Sequence, residues 1–325
     1  MFAAYAAEIG LRQPLQGLRL GDLPAPRART GWSRVTVRAA SLNHHDLWSL
    51  RGVGLSTDRL PMILGTDAAG VDEDGNEVVI HPVVGLTSHG LAPGEPRSIL
   101  TEKYQGTFAE QVTVPTWNIV PKPPELSFAE AACLPTAWLT AYRMLFTQAR
   151  VRPGDSVLVQ GAGGGVATAA IALGTAAGLR VYATSRDEHK RERALDLGAA
   201  EALEPGARLP HRVDAVIETV GAATWSHSVK SLRTGGTLVI SGATSGDRPT
   251  RAELTDIFHR ELTVVGSTVA TKDELTALLS FCATTGTRPT IDRILPLDQA
   301  HEGFARMESG SHFGKIVFTL PAKDL

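Results

Sequence analysis

Glycines at 161, 163, 164 and 165 follow directly on the apolar run Val157–Val159 and precede a small-residue helical pattern from Ala167 to Ala177. A strand, a glycine turn and a helix in that order can cradle the pyrophosphate of a dinucleotide. Backbone N–H groups at Gly163, Gly164, Gly165 and Val166 can then approach the phosphates at the positive end of the helix. The strict spacing is Ala162-x-Gly164-x-x-Ala167. An ordinary tight strand-to-helix turn has the same glycines, so the flanking strand and helix carry the nucleotide reading. The next strand runs out in Thr184-Ser185-Arg186-Asp187-Glu188-His189-Lys190. Here Ser185 can donate a hydrogen bond, Arg186 can grip phosphate oxygens in a fork, and Lys190 adds a point charge. That set favours NADPH as cofactor. Two alternatives stay open: Asp187 as the acid that holds the ribose of NADH, or Arg186 and Lys190 as the solvated face of a helix.

A second group, Asn43-His44-His45, has side chains able to hydrogen-bond a carbonyl or relay a proton near neutral pH. Asn43 could equally bond its own backbone in a loop.

The elements that would position these groups fall into two kinds. The first third reads as short strands and loops, with Trp32–Arg38 and Glu77–His81 as strand candidates, and its prolines argue against long helices. Near 126 the pattern changes: Ser127 and Glu130 stand at capping-box spacing before an apolar helix. From Asp155 onward strand patterns (Arg180–Thr184, Ala215–Glu218, Leu238–Ser241, Leu262–Val265) alternate with helical ones, such as Asp187–Leu197 closed by Gly198. Such alternation requires a parallel sheet covered by helices. A helix from Pro296 to Arg306 and a strand from Lys315 to Leu320 close the chain.

A length of 325 residues suits two domains, and 32 basic against 34 acidic residues give no charge excess that would point to nucleic acid or a membrane surface. Cys133 and Cys282 cannot build a disulfide framework, and Cys133 reads as a small buried hydrophobe. The N-terminus lacks a signal-peptide pattern and no apolar stretch is long enough to span a bilayer, so a soluble cytoplasmic protein is expected.

Taken in order, Ser41-Leu-Asn-His-His-Asp46, Leu60-Pro-Met-Ile-Leu-Gly-Thr-Asp-Ala-Ala-Gly70, Gly106-Thr-Phe-Ala-Glu110, Leu139-Thr-Ala-Tyr142, the glycine turn, Gly235-Gly236 and Gly314-Lys-Ile-Val317 resemble the medium-chain dehydrogenase/reductase superfamily. The nearest likeness is to its zinc-free quinone oxidoreductase and enoyl reductase branch. The resemblance implies an α/β chain: a Rossmann-type doubly wound parallel sheet (122–265) inserted in a mainly β GroES-like catalytic domain (1–121 and 266–325). It also implies a homodimer joined by edge strands of the cofactor domains. Cofactor contacts carry over to Thr140, Val220, Gly242, Ala243, Ser267 and Lys315, beside the glycine turn, Ser185, Arg186 and Lys190.

In zinc-dependent relatives three ligands surround a catalytic metal; the corresponding positions here are Asn43, Thr66 and Thr136, none a normal zinc ligand. The segment from His81 to Gln105 has no cysteine for a structural zinc lobe. No metal is therefore expected. The family's NAD-selecting aspartate falls on Thr184, and two tyrosines found near the acceptor in some quinone oxidoreductases fall on Trp48 and Gly54. Trp48 and Trp138 are candidates to stack on a planar acceptor, against the commoner role of core packing.

Without a Lewis acid, hydride delivery to a quinone or an α,β-unsaturated carbonyl is the expected reaction. Asn43, His44, Thr66 and Thr136 are its candidate catalytic side chains. The alternatives are an enoyl-thioester reductase of lipid or polyketide metabolism, and a protein that binds NADPH with little turnover.

Overall fold

The computed structural model describes residues 1–27, 29–85 and 95–321; residue 28, residues 86–94 of the cysteine-free segment and 322–325 lie outside it. The chain forms two compact units, one of residues 1–136, 271–283 and 291–325, the other of 137–270 and 284–290. The division falls at 136/137 and 270/271, later than the expected 121/122 and 265/266. For the first boundary the reason is local: the helix Phe128–Ala132 packs on the strands Trp32–Ser41 and Asp67–Asp72 of the first unit.

The first unit is built on a seven-stranded sheet, in which Trp32–Ser41 pairs antiparallel with Asp67–Asp72, Gln111–Pro115 and Lys315–Thr319. Alternation of buried Val35 and Val37 with Arg34, Thr36 and Arg38 sends one face of that strand inward, and from Ala39 both faces are covered. The register Val317↔Ser41 joins segments far apart in sequence, and through it Lys315 comes beside Leu42 and Asn43. Phe108 packs edge-on against Phe304 and Phe318, with ring centroids 6.1 and 5.1 Å away. Phe304 and Met307 are the buried stripe of the helix Ala300–Glu308. The expected start at Pro296 is instead a strand end and a 3₁₀ turn, Leu297–Gln299.

The second unit is a six-stranded parallel sheet in the order Glu201–Leu203, Arg180–Thr184, Ser156–Val159, Val213–Glu218, Leu232–Ile240, Thr263–Gly266. Numbered along the unit this is 3-2-1-4-5-6, a Rossmann-type sheet whose strand order reverses between the first and fourth strands. The strand after Ser156 leads into the helix Gly165–Ala176. The helix Glu188–Asp196 is capped by the Asp187 side chain, which accepts from the Lys190 N–H, and ends at Gly198 with φ +99.

Two strands depart from the sequence reading. Glu201–Leu203 was too short and polar to stand out, and Leu232–Ile240 begins six residues before Leu238, running through the Gly235-Gly236 pair. Among the described residues no helix is long and apolar enough to cross a membrane.

Candidate active site

In the first unit a buried polar network gathers at the helix His44–Leu50. Asn43 is the N-cap of that helix, in an extended conformation (φ −128°, ψ 157°). Its Nδ2 donates to Asp67 Oδ2 (2.8 Å) and Thr66 Oγ1 (3.1 Å), while its Oδ1 accepts from Lys315 Nζ at 2.5 Å. Lys315 Nζ donates further to Leu42 O (2.8 Å) and meets Asp67 Oδ2 at 3.3 Å. Both charged groups are buried, at 1% and 0% exposure, so the pair must be held by its hydrogen bonds to survive desolvation. Ser41 Oγ donates to Asp67 Oδ2 (2.8 Å), whereas Asp67 Oδ1 has no partner among the described residues.

From Asn43 the network continues outward. Thr66 Oγ1 lies 2.9 Å from Thr136 Oγ1. Since Thr66 accepts from Asn43, its own hydroxyl proton is free to point at Thr136. The Thr136 hydroxyl proton is then the donor left over at the end of the chain. Thr66 is fully buried and Asn43 nearly so; Thr136, in the π-helical turn Leu134–Trp138, is half-exposed. The sequence reading brought Asn43, Thr66 and Thr136 together, and the geometry does so too. It differs in rank: both amide protons of Asn43 are already used inside the protein, so the outward donor is Thr136.

Below the network Asp46 accepts the N–H of Asn43 and of Gly65, both at 2.9 Å. Gly65 has φ +94, and a Cβ there would lie 2.5 Å from the Phe108 ring, so the turn that aims its N–H at Asp46 requires glycine. Burial pushes the Asp46 carboxyl up to about 7, helped by the nearby Asp67 and opposed by the two N–H bonds and by Lys315.

His44 is exposed, with its ring 5.9 Å from that of His312; dehydration by the surrounding protein and the charges of Lys315 and Arg51 hold its pKa below the ordinary histidine value. It is therefore a neutral base at pH 7. His45 bonds Thr101 Oγ1 at 2.9 Å, a structural role. Cys133, buried and pushed up to about 12 by burial, stays a thiol.

Zinc does not fit this donor set. Asn43, Thr66 and Thr136 offer an amide and two hydroxyls, the Lys315 ammonium already contacts Asn43, and among the described residues no three His, Cys, Asp or Glu side chains are grouped to hold a metal ion. The N–H groups of Lys315, a cofactor contact by resemblance, face Leu42, Asn43 and Asp67, which makes it part of this network.

The second unit fits a dinucleotide. Gly164 is the N-cap of Gly165–Ala176 with no side-chain cap, which leaves the first N–H groups of the helix open. A Cβ on Gly163 would lie 2.6 Å from Lys190 Cδ, so Lys190 reaches over the turn. The turn is tied to the second strand by Thr184, whose hydroxyl accepts from Gly161 N (3.2 Å) and donates to Gln160 Oε1 (2.8 Å). Arg186 is exposed and among the described residues has no partner, while Ser185 Oγ accepts from Asp187 N at 3.2 Å. Asp187, the rival ribose acid, is engaged as a helix cap.

Val220, Gly242, Ala243 and Ser267 all follow the carboxyl ends of parallel strands, on the side where such sheets bind ligands, and Ser267 Oγ is a buried hydroxyl without a partner among the described residues. Thr140 is buried in Leu139–Tyr142, which packs on Gly165–Ala176. Trp138 is fully buried and packs core; Trp48 lies under the Arg51 guanidinium, 5.1 Å from its ring.

Comparison with known proteins matches two family models: "Alcohol dehydrogenase GroES-like domain" over residues 29–124 and "Zinc-binding dehydrogenase" over 165–284. A solved structure described as an NAD-dependent alcohol dehydrogenase is 36% identical, with TM-score 0.89 over 99% of this chain and 100% of that one. The acryloyl-coenzyme A reductase of Metallosphaera sedula is 27% identical, covering 94% of this chain and 97% of that protein. A zinc-type alcohol dehydrogenase-like protein of Schizosaccharomyces pombe, C1773.06c, is 29% identical over 88% of this chain and 90% of its own length.

Proposed function

The chain belongs to the medium-chain dehydrogenase/reductase superfamily and is an oxidoreductase; from that premise we propose a zinc-independent, NADPH-dependent reductase of quinones or α,β-unsaturated carbonyls. The observation that carries this reading is the Lys315–Asn43–Thr66–Thr136 network, in which Asn43, Thr66 and Thr136 are the residues that the resemblance equates with the zinc ligands of the metal-dependent relatives. A buried ammonium polarises a chain of hydrogen bonds that ends in the Thr136 hydroxyl. That hydroxyl can donate to a carbonyl oxygen as charge develops on it, a weaker aid than a Lewis acid, so the acceptor must already be electrophilic.

When bound, the reduced nicotinamide supplies the hydride. Gly163, Gly164, Gly165 and Val166 would hold the pyrophosphate through backbone N–H groups, Ser185, Arg186 and Lys190 the 2′-phosphate, and Ser267 would gain a partner for its buried hydroxyl. Neutral His44 can pass a proton but does not store one.

Similarity to an acryloyl-coenzyme A reductase supports a second reading, an enoyl-thioester reductase using the same network. A panel of quinones, alkenals, enones and enoyl-coenzyme A esters, followed by NADPH oxidation with and without chelator, separates the two. Quinone or enone turnover unaffected by chelator is expected. Turnover confined to thioesters selects the second reading, and loss of activity on removing stoichiometric zinc refutes the metal-free site. The exposed edge strand Thr263–Gly266 supports a homodimer.

A further inference from the structure

The connection from Leu203 to Val213 crosses over two strands, about 14 Å, in the nine residues 204–212 and without a helix. Parallel crossovers usually take a dozen residues or more and cover the sheet with a helix. Here a cavity of about 790 Å³ opens between residues 206–212 and the helix Trp225–Ser231. Leu209 is the buried apolar anchor of the loop.

The cavity wall carries Arg208, Arg212 and Lys230 together with His211 and His227 and, among the described residues, no aspartate or glutamate. All three cations are exposed, and among the described residues none has an ion-pair partner. Of the neighbouring acids, Glu204 faces Arg191 at 3.9 Å and Asp214 binds Arg233 at 2.6 Å, while Glu253 accepts the hydroxyl of the wall residue Ser226, so one carboxylate borders the cavity. In a chain of net charge −2 this concentration of positive charge is local, and a bound anion would neutralise it more closely than solvent and salt do. The two guanidinium groups suit phosphate oxygens in a fork. The volume exceeds what an inorganic anion fills, which leaves room for an organic body against Leu209 and Pro210.

We propose that this cavity is a second ligand site of the nucleotide-binding unit, one that takes a small phosphorylated anion and shares no residue with the glycine-turn cradle. It has a direct connection to that cradle. His227 donates from Nε2 to Ala207 O and accepts at Nδ1 from Gln160 Nε2, both at 2.9 Å, and Gln160 Oε1 accepts from Thr184, the residue that ties down Gly161. Occupancy is therefore expected to alter NADPH affinity as well.

Calorimetry on the full chain tests the site, with inorganic pyrophosphate and fructose 1,6-bisphosphate as probes, each with and without saturating NADPH. Binding is expected to persist in Arg186→Ala and in the presence of NADPH, and to weaken at least about tenfold in Arg208→Ser/Arg212→Ser. Tighter binding of the sugar bisphosphate than of pyrophosphate identifies an organic phosphate; the reverse identifies the inorganic anion. No binding of either probe at millimolar concentration, equal binding by the double variant, or displacement of the probe by NADPH overturns the proposal. Both arginines are exposed, so the double variant is expected to fold, which circular dichroism checks.

Discussion

Lys315 Nζ lies 2.5 Å from Asn43 Oδ1 and 3.3 Å from Asp67 Oδ2, a contact made by residues 272 and 248 positions apart. Because Asp67 is fully buried, removing the cation leaves an uncompensated carboxylate. Lys315→Met is expected to cost about 3–5 kcal/mol of stability. Lys315→Met/Asp67→Asn is expected to recover most of it, since both charges are then gone. Urea unfolding of the two variants reads this out; a double variant as unstable as the single one disproves the pairing.

Thr136→Val removes the outward donor at the end of the network while keeping the shape of the side chain. With the best acceptor, kcat is expected to fall roughly ten- to a hundredfold, with KM for NADPH unchanged. Thr136→Ser is expected to retain activity, because it keeps the hydroxyl. If the valine variant matches the wild type, Thr136 does not face the acceptor.

Much of this arrangement was legible from local pattern. The glycine turn after Val157–Val159, the Ser127/Glu130 capping box and the helix between Asp187 and Gly198 all depend on neighbours within a few residues, and each is found. What escaped depends on distant pairing. Asp67 and Lys315 stood in quoted motifs, yet their partnership follows from the antiparallel register Val317↔Ser41 and Ser41↔Asp67, which no local spacing encodes. Glu201–Leu203 is a strand because Tyr182–Thr184 offers it an edge, not because its own residues prefer one. The basic cavity escaped for a related reason: Arg208, Arg212 and Lys230 meet only once the sheet order is known.

The edge strand Thr263–Gly266 leaves Val264 41% exposed, and the preceding helix Leu254–His259 exposes Leu254 and Phe258. An apolar edge of this kind invites strand pairing, and two-fold pairing covers both copies at once. Light scattering at micromolar concentration is expected to give a dimer, and Val264→Lys a folded monomer. A monomeric wild type excludes this interface.

Asp46 gives the stability a pH dependence whose sign follows from its raised pKa. In the unfolded chain its carboxyl ionises in the ordinary range, whereas in the folded protein burial holds the proton until about 7. Between those limits the unfolded state binds fewer protons, so this group's contribution falls as pH rises, by at most about 1.4 kcal/mol per pH unit. It is fully present below the ordinary carboxylate range and gone above 7. Asp46→Asn cannot titrate, so the wild-type advantage over it is expected to shrink from pH 4.5 to 7 and then stay flat. A difference that is constant across that range would mean the carboxyl is ionised throughout.

Cofactor choice rests on the end of the second Rossmann-type strand. Thr184 is buried and bonded to Gln160 and Gly161, so no acid stands there to repel a phosphate, and Asp187 caps its own helix. Arg186 is exposed and, among the described residues, without a partner, and Lys190 reaches over Gly163. A charge-assisted hydrogen bond from Arg186 to the 2′-phosphate is worth about 1.5–3 kcal/mol, or roughly ten- to more than a hundredfold in affinity. Arg186→Ala is therefore expected to raise KM for NADPH by that factor and to leave KM for NADH nearly unchanged, because NADH has a hydroxyl where NADPH has the phosphate. Steady-state kinetics with both cofactors decides it. Equal losses for the two, or a wild-type preference for NADH, would show that Arg186 is only part of the solvated helix face.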